Sequence, residues 1–180
     1  MEVHGQEQTQ QIAMQILHHG QIELLSLPDS WKEGPSRHGP WLEFERSFFP
    51  SEGGKAKLML WYRGAPISDE GANRLTELMK KPNKILLPSE LTSISETLDW
   101  MSLPETFRIM AARIDEINDR KVLVIEGRYL PEETDYYAVL LQNPGAAAYI
   151  QEIYFQAPKD DYPRFIRDAK TAIAGIQWVC

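Results

Sequence analysis

The sequence predicts an α+β domain organised on an antiparallel sheet. Two observations carry this expectation. Four strand-like segments, Phe107–Ile117, Lys121–Tyr129, Tyr136–Gln142 and Ala147–Ala157, are separated only by Asn118-Asp119-Arg120, Pro131-Glu132-Glu133 and Asn143-Pro144-Gly145. Separators this short and turn-rich force antiparallel neighbours, since a parallel pair needs a long crossover. The chain then closes on a strand, Tyr149–Phe155, and an amphipathic helix in which Phe165, Ala169, Ala172, Ile173 and Ile176 form one apolar stripe. Such a stripe must be buried, and the sheet just before it is the place. Tyr149, Ile153 and Phe155 share one strand face, which Gln151 interrupts. Asp161 is placed to cap the helix, with Pro163 tolerated in its first turn.

The earlier elements follow in order. Residues 6–19 are Gln-rich and carry Ile12, Ala13, Ile16 and Leu17 at helical spacing, with Gly20 as the stop, so a short helix is expected there. Ile22–Leu27 reads as a strand closed by Pro28-Asp29. Trp31–Pro40 holds Gly34, Pro35, Gly39 and Pro40 and reads as a loop. Trp41–Phe48 alternates, with Leu42, Phe44 and Phe48 on one face; Arg46 falls among them as an exception. Ser51-Glu52-Gly53-Gly54 turns the chain into a strand over Lys57–Tyr62. Ser68 is placed to cap a helix running to about Lys81, with Asp69 and Glu70 at its positive end and Lys80 and Lys81 at its negative end. Ala72, Leu75 and Leu78 form its stripe and Pro82 stops it. A second helical face, Leu91, Ile94, Leu98 and Met101, lies between Pro88 and Pro104. There is no repeat, low-complexity segment or linker, so residues 1–180 are expected to form one domain.

Composition bounds the function. Hydrophobic residues at 43% and charged residues at 25% are those of a globular protein with a sizeable core. A net charge of −7 argues against a nucleic-acid partner, which needs a basic surface. It is compatible with a basic protein partner. The one cysteine, Cys180, allows no disulfide within the chain. The first residues lack the basic and apolar regions of a secretory signal, and no stretch approaches the length of a membrane span. A cytoplasmic location is therefore the expectation.

The order of elements resembles that of the PsbP-like superfamily, which includes the extrinsic P subunit of photosystem II and shares its fold with a Ran-binding nuclear-import release factor. Three stretches carry the likeness: Ile22–Trp31 with its Leu-Pro-x-x-Trp opening, Ile117–Val124, and Tyr149–Phe155 with the closing Phe165–Trp178 segment. The chain is also similar to bacterial proteins of comparable length without an assigned role. The resemblance implies an α/β/α sandwich with a central antiparallel sheet. By analogy it implies protein binding rather than turnover, and it transfers no functional residue.

Motifs for chemistry are sparse. There is no Gly-x-Gly-x-x-Gly or Walker-type loop, and Gly53-Gly54-Lys55 reads as a hairpin turn. There is no His-Glu-x-x-His, no cysteine pair and no Gly-x-Ser-x-Gly elbow. His18, His19 and Glu23 make the one metal-like cluster. Neighbours on a helix point about 100° apart, so the two histidines are expected to be surface groups at a helix end rather than ligands of one ion. Acidic clusters at Asp115-Glu116-Asp119, Glu132-Glu133-Asp135 and Asp160-Asp161 fall in or beside turns, where solvation is the ordinary state. No metal or cofactor is expected.

Candidate partner contacts are therefore sought among exposed rings and irregular stretches. Trp31, Arg37 and His38 lie in the Gly/Pro-rich loop, where an exposed Trp31 would mark a binding surface, although core or loop-anchor packing is the commoner state of such a ring. Tyr136 and Tyr137 are adjacent on a strand and point to opposite faces, which makes Tyr136 a fourth candidate. The first reading is a non-catalytic protein-binding module that contacts its partner through 31–40 or 83–104; a briefly binding assembly factor is a variant of it. The second is an enzyme or small-ligand binder with a pocket built from distant residues, where Arg46 and Arg113 pair with Glu126 or Asp135.

Overall fold

A computed structural model describes residues 14–38, 44–63, 69–97, 106–142 and 150–180. The expected short helix over 6–19 is replaced, in its described half, by strand β1 (Met14–His19). It pairs antiparallel with β2 (Ile22–Leu27), His19 opposite Ile22, through a tight turn at Gly20 with φ of 59°. A short Gln-rich segment is a marginal helix by itself, whereas a neighbouring strand offers hydrogen bonds and buries Ile16.

The expected loop over 31–40 also contains structure. Trp31–Glu33 forms β3 and Arg37–His38 forms β4, both antiparallel to β5 (Phe44–Pro50). Gly34 and Pro35 separate two short edge pieces, the sheet position where proline is tolerated. The turn at 51–54 and the next strand, β6 (Lys57–Arg63), are as expected.

Helix α1 (Asp69–Met79) ends two residues sooner than its expected limit at Lys81. The two lysines lie beyond it: Lys80 Nζ reaches Glu77 at 2.6 Å, and Lys81 Nζ reaches Glu90 at 2.8 Å. Strand β7 (Lys84–Ile85) precedes α2 (Pro88–Thr97). Glu90 accepts four hydrogen bonds, one from Lys81, two from Lys84 and one from the Leu87 N–H at the start of α2. The two lysines and that backbone bond hold its carboxyl down at about 2.

Over its described residues the meander is as expected; the Asn143-Pro144-Gly145 turn and residues 147–149 lie outside them. Strands β8 (Phe107–Ile117), β9 (Arg120–Tyr129), β10 (Thr134–Gln142) and β11 (Ile150–Pro158) are antiparallel neighbours in chain order. Strand β6 pairs with the free edge of β11, so the large sheet runs β3-β5-β6-β11-β10-β9-β8-β7, with β4 also on β5. Helix α3 (Tyr162–Ala174) follows, then β12 (Gln177–Trp178), which joins β2 to complete a small sheet, β1-β2-β12.

The two faces of the large sheet bury two cores. On one face, Val122, Val124, Val139, Ile153 and Phe155 meet Phe165, Ala169, Ala172, Ile173 and Ile176 together with the small sheet. On the other, Leu123, Ile125, Leu140 and Tyr154 meet Leu75 of α1, with Leu91 of α2 at the margin. Adjacent residues of β9 thus serve opposite cores, as the period of two requires. The result is an α/β/α sandwich around an antiparallel sheet. Asp161 does not cap α3 with its side chain; its carboxylate instead accepts from the Lys55 N–H at 3.2 Å and ties the β5–β6 turn to the helix start. Pro163 lies in the first turn, as expected.

The chain end is clamped. Asn118 and Asp119 turn β8 into β9 with φ of 46° and 63°. The Asn118 amide donates to the carbonyls of Ala174 (3.2 Å) and Ile176 (2.6 Å). Trp178 Nε1 donates to Ile117 O at 2.7 Å, and Arg120 donates to Val179 O at 2.8 Å.

Candidate functional site

The α1/α2 face of the large sheet carries a cleft of about 370 Å³. It is lined by Met59 and Trp61 of β6, Tyr154 and Gln156 of β11, Thr134 and Tyr136 of β10, Tyr129 of β9, Phe107 of β8, and Glu132 of the β9–β10 turn. Every strand position here has the parity that points to this face. Among the described residues, none of α1 or α2 lines the cleft, and their contacts with the sheet gather round Leu75, Leu78, Met79 and Leu91.

One glycine shapes the wall. Gly127 stands directly opposite Tyr136 on β10 and Ile109 on β8. A Cβ there would come within 2.8 Å of Phe107 Cζ and 2.5 Å of Arg108 O. Its absence lets the Phe107 ring cross β9. The Tyr136 phenol is buried, which pushes its pKa far above the ordinary tyrosine value and keeps it neutral. Tyr154 donates to the buried carboxylate of Glu152 at 2.5 Å, and Glu152 lies opposite Trp61 in the register. Glu132 is exposed at the rim and makes no ion pair among the described residues.

The four candidate contacts do not come together. Trp31 is 2% exposed, its ring 6.4 Å from Phe155 and from Phe165, so it packs in the core, the commoner state for such a ring, and is not an exposed contact. Arg37 and His38 are exposed on β4, separated from β10 by three strands of the sheet. Tyr136 alone lines the cleft. Tyr137 points to the other face as expected, buried beneath Lys170, whose Nζ is 4.6 Å from the ring centroid. Of the two irregular stretches, 83–104 does expose apolar side chains: Ile85 is 76% exposed and Leu87 62%, with Met110 of β8 at 63%.

The pocket imagined around Arg46 and Arg113 does not form among the described residues. Arg46 makes a two-toothed bond to Glu33 at 2.7 and 2.9 Å, rather than to Glu126 or Asp135. Arg113 does reach Glu126, at 3.2 Å, together with Asp115, and Lys170 joins the same carboxylate at 3.3 Å. Asp135 belongs to Arg128 instead, Nη2 to Oδ2 2.9 Å. Neither Arg46 nor Arg113 lines the aromatic cleft or the second cleft, of about 300 Å³, between β2 and α3. These are structural ion pairs on the sheet.

The histidine pair sits on a strand, not at a helix end. His18 is exposed with Nδ1 3.0 Å from Glu23, while His19 is buried on the opposite side. Burial, then the Arg46 charge, push the His19 imidazole down to about 4 against a backbone hydrogen bond at Leu60 and the Glu33 carboxylate. No group of three or more acidic, His or Cys side chains is placed to hold a metal among the described residues. Nor, among them, is any helix long and apolar enough to cross a membrane.

No protein-family model matches the chain, and no curated protein is similar to it in sequence. Solved structures are similar to it in fold. One is the solution structure of cyanobacterial PsbP (CyanoP) from Synechocystis sp. PCC 6803, with a TM-score of 0.59 over 99% of both chains at 8% identity. The chain therefore has a PsbP-like fold, and at that identity the likeness speaks to the fold alone.

Proposed function

We propose that the chain is a non-catalytic protein-binding or assembly module whose partner docks at the aromatic cleft. The observation that carries this reading is the lining: five aromatic rings, Trp61, Phe107, Tyr129, Tyr136 and Tyr154, converge on one concave surface. Large amphipathic rings supply contact area at low entropic cost and dominate protein interfaces. The polar groups among them are Glu132, Thr134 and Gln156, which suit orientation of a partner rather than a nucleophile–base pair. The exposed apolar side chains of Ile85, Leu87 and Met110 support a second contact beside β8. In this reading the partner is a protein met in the cytoplasm, and the net charge of −7 disfavours nucleic acid.

Co-purification under gentle salt tests the proposal. Tyr129 is 39% exposed, so Tyr129→Ala removes cleft surface without emptying the core. The wild-type chain recovers a stoichiometric partner that Tyr129→Ala loses. Recovery of none by either chain, or equal recovery by both, overturns the reading. The volume of about 370 Å³ also suits a small ligand, which favours a second reading of the same cleft as a ligand pocket.

A further inference from the structure

We infer that the cleft receives a basic side chain, a lysine or arginine presented by an exposed segment of the protein partner. This inference rests on the reading of the cleft as a partner-docking site. Aromatic faces carry negative potential, and several rings round one concavity attract a cation more strongly than they attract an alkyl group of the same size. Of the nine described residues that line it, five are aromatic, and Glu132 is the one carboxylic acid among those nine. Glu132 is exposed and makes no ion pair among the described residues, so its carboxylate is accessible to an incoming ammonium or guanidinium. The Tyr154 hydroxyl is held from behind by its bond to buried Glu152, two residues away on β11. The cleft therefore presents aromatic rings with an acidic group at its mouth.

The surroundings agree in sign. The chain is acidic overall, so a basic segment is drawn to it before contact. Lysine and arginine are suited by shape as well. Their methylene stems pack along rings while the charged head seeks the carboxylate.

The test uses the full chain and three blocked pentapeptides, Gly-Ser-X-Ser-Gly, where X is lysine, arginine or norleucine. Binding is followed by NMR on the ring signals of Tyr129, Tyr136 and Tyr154. The lysine and arginine peptides shift these signals and bind about tenfold more tightly than the norleucine peptide, and Glu132→Gln weakens the basic peptides about tenfold without moving the norleucine one. Equal binding of norleucine overturns the basic side chain but leaves an apolar docking cleft standing. Binding of tetramethylammonium without the basic peptides also overturns it, in favour of a small cationic ligand. Failure of all probes to move the rings, alongside a partner that Tyr129→Ala still retains, overturns both the inference and the reading beneath it.

Discussion

The Phe107 ring crosses Gly127 and stacks on Tyr136, with ring centroids 4.2 Å apart and planes inclined by 34°. The stack forms one wall of the cleft and depends on a residue without a side chain. Gly127→Ala puts a methyl group against both the Phe107 ring and the Arg108 carbonyl. Since the carbonyl is backbone, the β8–β9 pair must shift as the ring swings away. A loss of about 1–3 kcal/mol is expected, read as a lower urea midpoint at unchanged slope. The Tyr136 ring signals move with it. An unchanged midpoint would mean that the wall is not held by this contact.

The chain end supplies a second prediction. Asn118 occupies a left-handed conformation and bonds the carbonyl of Ala174, the last residue of α3, and that of Ile176 just beyond it. Asn118→Ala loses both bonds and strains the turn, at a cost of about 2 kcal/mol. Asn118→Gly relaxes the turn and loses only the bonds, so it should cost about half as much. Thermal unfolding of the two variants separates the contributions. Equal losses would assign the whole effect to the hydrogen bonds.

Buried His19 gives the protein a pH dependence of definite sign. Its folded pKa of about 4 lies below the ordinary 6.5, so between those values the unfolded chain binds a proton that the folded chain refuses. Stability is therefore complete above pH 6.5 and falls as pH drops towards 4, by about 3 kcal/mol from this group. Glu33, held low chiefly by its hydrogen bond from Arg46, adds a loss of the same sign at the acid end. Denaturant titrations from pH 4 to 7 should show the slope in the wild type and a much flatter one in His19→Gln. Parallel curves would show that His19 titrates normally.

Much of the fold is legible in the sequence, and the cleft mostly is not. Turn residues at 118–120 and 131–133 specify antiparallel strands almost by themselves, because no other connection is that short. The spacing from Phe165 to Ile176 likewise specifies a buried helix face. Segments whose structure depends on a partner are the ones misread: Met14–His19 is a strand because β2 lies beside it, and Trp31–Glu33 because β5 does. The cleft is harder still. Alternation tells that Tyr136 and Tyr154 share a face, but not that both border one concavity with Trp61, Phe107 and Tyr129. The one local mark was Gly127 within a run of apolar strand residues, a sign of close approach over the backbone. Trp31 failed as a contact candidate because a Gly/Pro-rich neighbourhood does not show that a ring faces solvent.

The central claim is that a partner protein sits against the rings of the cleft, and site-specific photocrosslinking tests it most directly. Benzoylphenylalanine in place of Tyr129 reports on the cleft, and the same group in place of exposed Arg164, on α3 at the far side of the sheet, is the control. Irradiation in native lysate should give one discrete adduct from position 129 and none from position 164. An adduct from position 164 alone would contradict the claim and place the contact surface on the α3 side of the sheet.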